Sequence, residues 1–447
     1  MPRNSIVSCI IAGVICCAAS SDRAVPKVPV LSPYYVTPIL IYLLDNEKID
    51  TTMVAKKAAK DLVGFKRSSR MPESLTFDAF NFELNGLGDD NFMQPDLSVV
   101  DPSFMAVSKE EYQSFGVSSR ALAFWFYGQG NKMTEKNASI NKFIRDITVG
   151  KRVVILDFNA FKYYNNASWK ENRVDPFVHN PVNIGTQVAI HTFREGEYCR
   201  SVTMGMMKFA LPEISVKGFP CSNSDSYISL VNVAMQTLLE DPFIGPDSVI
   251  TVDLKNIKNV EARDGFIQIS TKEAGMKAAI KFKRVQPEEG DNAALQFAIS
   301  FESKEYASPI EEGNAIVTGV FGSFDDVMNF EHDEEIIAAS NRAKAKLPSL
   351  KKKFKAGFAP GESLLLKMPF KTPDDTNEWM WVEITVWTDS VFKGILQNDP
   401  VYVQNLQAGA LVDIKEADMF DYILMKSDGS YEGNETGEIM ERRRSKH

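Results

Sequence analysis

The segment Glu378-Trp-Met-Trp-Val-Glu-Ile-Thr-Val-Trp387 holds three of the chain's five tryptophans. In extended backbone Trp379, Trp381, Glu383, Thr385 and Trp387 share one side, and Met380, Val382, Ile384 and Val386 share the other. One side is aromatic and polar, the other wholly aliphatic. This period of two predicts a strand with core on one face and a surface that tolerates indoles on the other. Phe392-Lys-Gly394-Ile-Leu-Gln-Asn398-Asp399-Pro400 follows, a second strand ending in strong turn chemistry.

Working outward, Ile336, Ile337, Ser340, Ala343, Leu347 and Leu350 form a helical stripe that Pro348 should kink or end. Ser363–Met368, Val391–Leu396, Val401–Asn405, Leu411–Ile414 and Tyr422–Lys426 read as further strands, with Asp428-Gly429 as a hairpin turn. The expected C-terminal unit is a helix packed on a small, bent antiparallel sheet or barrel.

Upstream, Pro38–Leu44 predicts a strand. The helix after it is capped by Asp50 or Thr51 and stopped at Gly64. Further strands are expected near Thr76–Phe82, Arg120–Tyr127, Arg152–Asp157 and Gln187–Phe193. Tyr227–Leu239 is amphipathic at helical spacing. Ser248–Leu254, Phe266–Ser270, Ala278–Phe282 and Leu295–Phe301 then read as a meander, with turns at Asp264-Gly265 and Glu289-Gly290-Asp291. The fold class is therefore α+β: two N-terminal α+β units with antiparallel sheets, then the C-terminal unit. The expected division is a signal peptide at 1–20, a linker at 21–35, domains at 36–222, 223–330 and 331–440, and a basic tail at 441–447.

A net charge of −9 argues against a general nucleic-acid binder, which needs concentrated Lys and Arg. The Lys351–Lys355 and Arg442–Lys446 clusters read as a solvated helix end and a tail. Arg3 followed by the uncharged run Ile6–Ala19 and small residues at 17–21 fits an export signal. The run is short of the roughly 20 residues that span a bilayer, so no transmembrane span is expected in the mature chain. The cysteines at 9, 16 and 17 fit lipid attachment badly, and the chain is expected to be exported, periplasmic or extracellular. The alternative is a cytoplasmic protein whose first segment is core. Beyond the signal only Cys199 and Cys221 remain; a single disulfide and two separate thiols are both compatible with the sequence.

The C-terminal unit resembles the YegJ-like family of uncharacterised bacterial proteins. The matching pieces are Ala338-Ala339 with Ala343 and Leu347, Lys367, Glu378-Trp-Met-Trp381-Val, and Phe392-x-Gly394-x-Leu396-x-Asn398-Asp399-Pro400. They continue through Leu406-x-x-Gly409, Val412-x-Ile414 and Asp418-x-x-Asp421-Tyr422. Longer members look similar around Thr203-Met-Gly-Met-Met-Lys208-Phe-Ala-Leu-Pro212. The resemblance implies a compact α+β fold and no established activity, so it transfers no catalytic residue.

Nor does the sequence itself supply one. No G-x-S-x-G elbow, phosphate loop or H-E-x-x-H occurs. His332 among Glu331, Asp333, Glu334 and Glu335 is the best metal candidate, yet it reads better as a solvated first helical turn. The methionines at 204, 206 and 207 read as packing. Asn137, Asn166 and Asn434 head glycosylation triplets, which arise often by chance. Neither a metal nor a cofactor is expected.

The expectation is a non-catalytic binding protein of the bacterial envelope, docking a protein, peptide or envelope polymer. Trp379, Trp381, Trp387, Asn398 and Asp399 are its candidate contact residues. The alternative is a carboxylate-based or metal-assisted hydrolase drawing on Glu383, Asp399, Asp413, Asp418 and Asp421, which would have to share a cleft.

Overall fold

The computed structural model describes residues 27–68, 77–98, 100, 104–196, 198–245, 247–271, 274–291, 295–306, 308–322, 334–372, 377–398, 400, 402–403 and 405–444. The signal-like segment, His332 with Glu331 and Asp333 beside it, and Asp399 lie outside them.

The first sheet is built around the apolar run after Pro38. Strand Tyr34–Leu43 pairs antiparallel with Arg120–Gln129 on one side and Val153–Asp157 on the other. Asp78–Gly86 extends the sheet, and Phe65–Arg67 and Met105–Ala106 close its two ends through parallel pairs. Helix Thr51–Asp61 starts where Asp50 accepts the backbone N–H groups of Thr52 and Met53. Gly64 follows at φ +85°, a conformation that ends helices at little cost to glycine. Helix Met133–Thr148, which the turn and strand signals did not reveal, buries Ile140, Phe143, Ile144 and Ile147. Their i, i+3, i+4, i+7 spacing is the stripe expected of a core-facing helix.

The second sheet runs in the order Val249–Asp253, Lys277–Val285, Gln296–Ile299, Glu213–Phe219, Tyr198–Met204, Ala189–Glu195. Gln296–Ile299 pairs parallel with Glu213–Phe219, so the sheet is mixed and draws strands from both sides of residue 222. One hydrophobic core runs through both sheets, from Val30 to Phe321. Phe266–Ser270 is not a strand: helix Val260–Gln268 occupies most of it, capped by Asn259, whose side chain accepts the Ala262 N–H. That cap outweighs the turn signal of Asp264-Gly265. Residues in the expected linker are also ordered, with Val28–Pro29 pairing antiparallel to Phe243–Ile244. Cys199 and Cys221 form a disulfide that ties a strand to the turn before helix Ser224–Glu240.

The C-terminal sheet is antiparallel throughout, in the order Leu411–Lys415, Val391–Leu396, Asn377–Trp387, Ser363–Lys371, Asp421–Met425, Tyr431–Gly433. Its two end strands do not meet, so it is an open sheet and not a barrel. Helices Glu334–Ala345 and Leu347–Ala356 bury Ala343 and Leu350 against Met380, Val382 and Ile384; the break falls beside Pro348, as its lost N–H requires. Tyr402 and Val403 are not in a strand. Their N–H groups instead bond the Glu378 carboxylate at 2.9 and 3.0 Å. Helix Glu435–Arg444 runs through the expected boundary at 440.

Candidate functional site

A dense polar cluster lies inside the body, where the apolar strand Val153–Asp157 ends on a carboxylate. Asp157 is 2% exposed and accepts the Arg173 Nε–H at 2.9 Å and the Lys208 ammonium. Arg173 comes from the π-helical turn Lys170–Val174, and its Nη groups also bond the carbonyls of Thr186 and Gln187. Lys208 comes from the 3-10 turn Met206–Phe209, whose Lys208 carbonyl accepts the Asn137 side chain. Lys162 stands at the margin and donates to the Val188 carbonyl at 3.1 Å.

Burial alone would raise the Asp157 carboxyl, but the Lys208 and Arg173 cations outweigh it and hold the group below the usual carboxylate range. Burial and repulsion by Arg173 act the other way on Lys208, pulling it well below an ordinary lysine against the attraction of Asp157. Lys162 is lowered to about 8, by burial first and then by Arg173.

Asp157 Oδ1 meets no protein donor among the described residues, and it borders a cavity of about 10 Å³ walled also by Thr37, Asn141, Trp169 and Phe177. That space accommodates about one water molecule. A lowered lysine beside a carboxylate is an acid–base pair in chemical type. The pair fastens the Met206–Phe209 turn to the first sheet.

Glu213 anchors the same turn from the opposite side. It is 1% exposed and accepts Thr203 Oγ1 at 2.7 Å and the N–H groups of Gly205 and Met206 at 3.0 and 3.1 Å. Burial pushes it up to about 7, against the lowering effect of these bonds. The methionine-rich segment is thus packing, as its apolar neighbours suggested, with Met206 and Phe209 in the core. The sequence signal that was missed is polar: a lysine inside the apolar run 204–211, and a carboxylate closing an all-apolar strand.

In the C-terminal sheet the three indoles do not share a face. The register shifts between Ile384 and Val386 where Asn377–Trp387 pairs with Val391–Leu396. This bulge turns Trp387 into the aliphatic core and leaves Val386 38% exposed. Trp387 packs on Phe354 and Phe392, and its Nε1–H bonds Glu416 at 2.9 Å. Trp381 is 9% exposed beneath the Lys367 ammonium. Trp379, half-buried, lies 4.2 Å from the Phe420 ring. Asn398 Oδ1 accepts the Trp381 N–H at 2.7 Å.

Of the carboxylates named for hydrolysis, Glu383, Asp413 and Asp421 each have a separate partner. Glu383 is buried and pairs with Arg194 at 3.1 Å. Asp421 is buried and accepts the N–H and Oγ1–H of Thr436 at 2.8 and 2.6 Å. Asp413 and Asp418 are exposed, Asp413 beside Lys393. Among the described residues no three His, Cys, Asp or Glu side chains gather as a metal site. His191 stacks on Phe104, and His179 is exposed. Asn137 of the first glycosylation triplet is buried in the Lys208 contact.

No described helix is long and apolar enough to cross a membrane. No curated protein and no solved structure matches the chain. Residues 333–447 match the sequence model of a family described as an uncharacterized protein conserved in bacteria, DUF2314, so the C-terminal quarter is similar to a bacterial domain of unknown function.

Proposed function

We propose that the chain is an exported, non-catalytic binding protein of the bacterial envelope, and that its C-terminal domain is of the YegJ-like kind. The observation that carries the binding reading is the fate of the buried charges. Asp157, Glu213, Glu383 and Asp421 are each held by protein donors that fix a turn, a strand or a contact between units. Each is spent on architecture. The hydrolase alternative has no geometry in its favour, because its described carboxylates stand on different partners. Export is supported by the apolar run before residue 20 together with the Cys199–Cys221 disulfide, a bond that persists in oxidising compartments.

Two measurements test this reading on the full chain expressed in a bacterium. N-terminal sequencing of the mature protein is expected to begin near residue 20, in the periplasmic or secreted fraction. An intact Met1 in the cytoplasmic fraction overturns export. Crosslinking in envelope fractions is expected to capture a defined partner, and recovery of the chain alone overturns binding.

A further inference from the structure

One face of the C-terminal sheet, carrying Met380, Val382 and Ile384, is covered by that domain's own helices. Trp381 and Glu383 alternate onto the other face, and both are nonetheless buried. The body of the chain reaches this side of the domain, at Glu383 and at Gly409. Arg194 Nη2 donates to Glu383 Oε1 at 3.1 Å, and Tyr198 Oη donates to the Gly409 carbonyl at 2.8 Å. Arg194 and Tyr198 flank a single hairpin turn, between strands Ala189–Glu195 and Tyr198–Met204. Gly409, at φ +83°, lets Ile310 approach where a Cβ would stand 2.3 Å from its Cδ1. Strand Ser363–Lys371 rests on the turn Cys221–Asn223.

Three features mark this contact as recognition and not only packing. The family match begins at residue 333, so the domain is defined without the hairpin that covers it. The contacts at the hairpin tip are directional: a guanidinium N–H on a carboxylate and a phenol on a carbonyl. The domain also supplies, from the middle of its own sheet, a carboxylate whose burial requires a donor from its partner surface or its neighbours.

We propose that this face of the C-terminal domain is a recognition surface for a β-hairpin presenting an arginine and a tyrosine, and that the chain's own 189–204 hairpin is its occupant. The proposal rests on the binding reading above and gives it a surface and a partner chemistry. An external partner would carry the same pair of side chains and compete with the internal hairpin.

The test uses the full chain with Arg194→Glu. Arg194 is 44% exposed at its side chain, and the variant places two carboxylates in contact. Carbodiimide labelling of carboxylates, read by mass spectrometry, is expected to modify Glu383 about tenfold faster than in the native chain, the effect of losing one good ion pair. Labelling of Asp157 and Glu213 is expected to stay unchanged. A head-to-tail cyclised peptide of residues 189–204, with Cys199→Ser, is then expected to restore protection of Glu383. The same peptide with its arginine and tyrosine replaced by alanine is expected to have no effect.

Unchanged Glu383 labelling in the variant overturns the proposal, as does labelling that spreads to Asp157 and Glu213. Exposed Glu383 that the native peptide does not protect also overturns it. The binding reading is judged separately: it falls when neither the native chain nor the variant retains a partner from envelope fractions.

Discussion

The Asp157 centre and the C-terminal tryptophan strand bury unusual residues in opposite ways. At Asp157, two cations converge on one carboxylate with room beside them for about one water. At the tryptophan strand, large apolar rings fill space and their polar edges reach single partners, as Trp387 Nε1 reaches Glu416. The first region depends on charge balance and the second on volume. Loss of one group should therefore be felt differently in each: as an uncompensated charge in the body, and as a cavity in the C-terminal sheet.

The strongest challenge to this contrast is Asp157→Ala. It leaves Arg173 and Lys208 facing each other in the core, and the expected loss is about 3–5 kcal/mol in urea unfolding of the body. Adding Lys208→Met to it should recover part of that loss by removing one stranded cation; full additivity of the two changes would break the charge-balance account.

In the C-terminal sheet, Trp387→Ala is expected to cost about 3–4 kcal/mol by opening a cavity between Phe354 and Phe392. Val386→Asp, one residue away, should stay within about 0.5 kcal/mol because the bulge points it outward. Equal effects at the two positions would deny the bulge.

The mildest test is pH. Glu213 is raised to about 7 in the folded protein, above its ordinary value of 4.5. Between those values the native state binds more protons than the unfolded chain, so this group's contribution is full below pH 4.5 and is lost as pH rises through 7. Stability is expected to fall across that interval, and Glu213→Gln should flatten that part of the stability profile. A slope unchanged in the variant would move its origin elsewhere.

Much of the fold was legible because periodicity and capping act locally. Asp50, Gly64 and the Tyr227–Leu239 stripe marked helix ends and faces from nearby residues alone, and the strand Val391–Leu396 was read to its ends. What failed was non-local. The bulge at Ile384–Val386 arises from pairing with a neighbouring strand, and it reversed the side on which Trp387 sits. The parallel pairing of Glu213–Phe219 with Gln296–Ile299 leaves no mark in either segment. The candidate site was less legible still. Asp157, Arg173 and Lys208 are brought together only by the tertiary fold, each drawn from a stretch whose pattern spoke of something else.

The position of strand Tyr34–Leu43 has a consequence for biosynthesis. This first long strand sits in the interior of its sheet, between two strands that a ribosome delivers much later, Arg120–Gln129 and Val153–Asp157. Until both arrive, a markedly apolar ribbon has at least one edge unpaired, which invites misassociation. The order in which the chain is made thus leaves this apolar strand exposed longest.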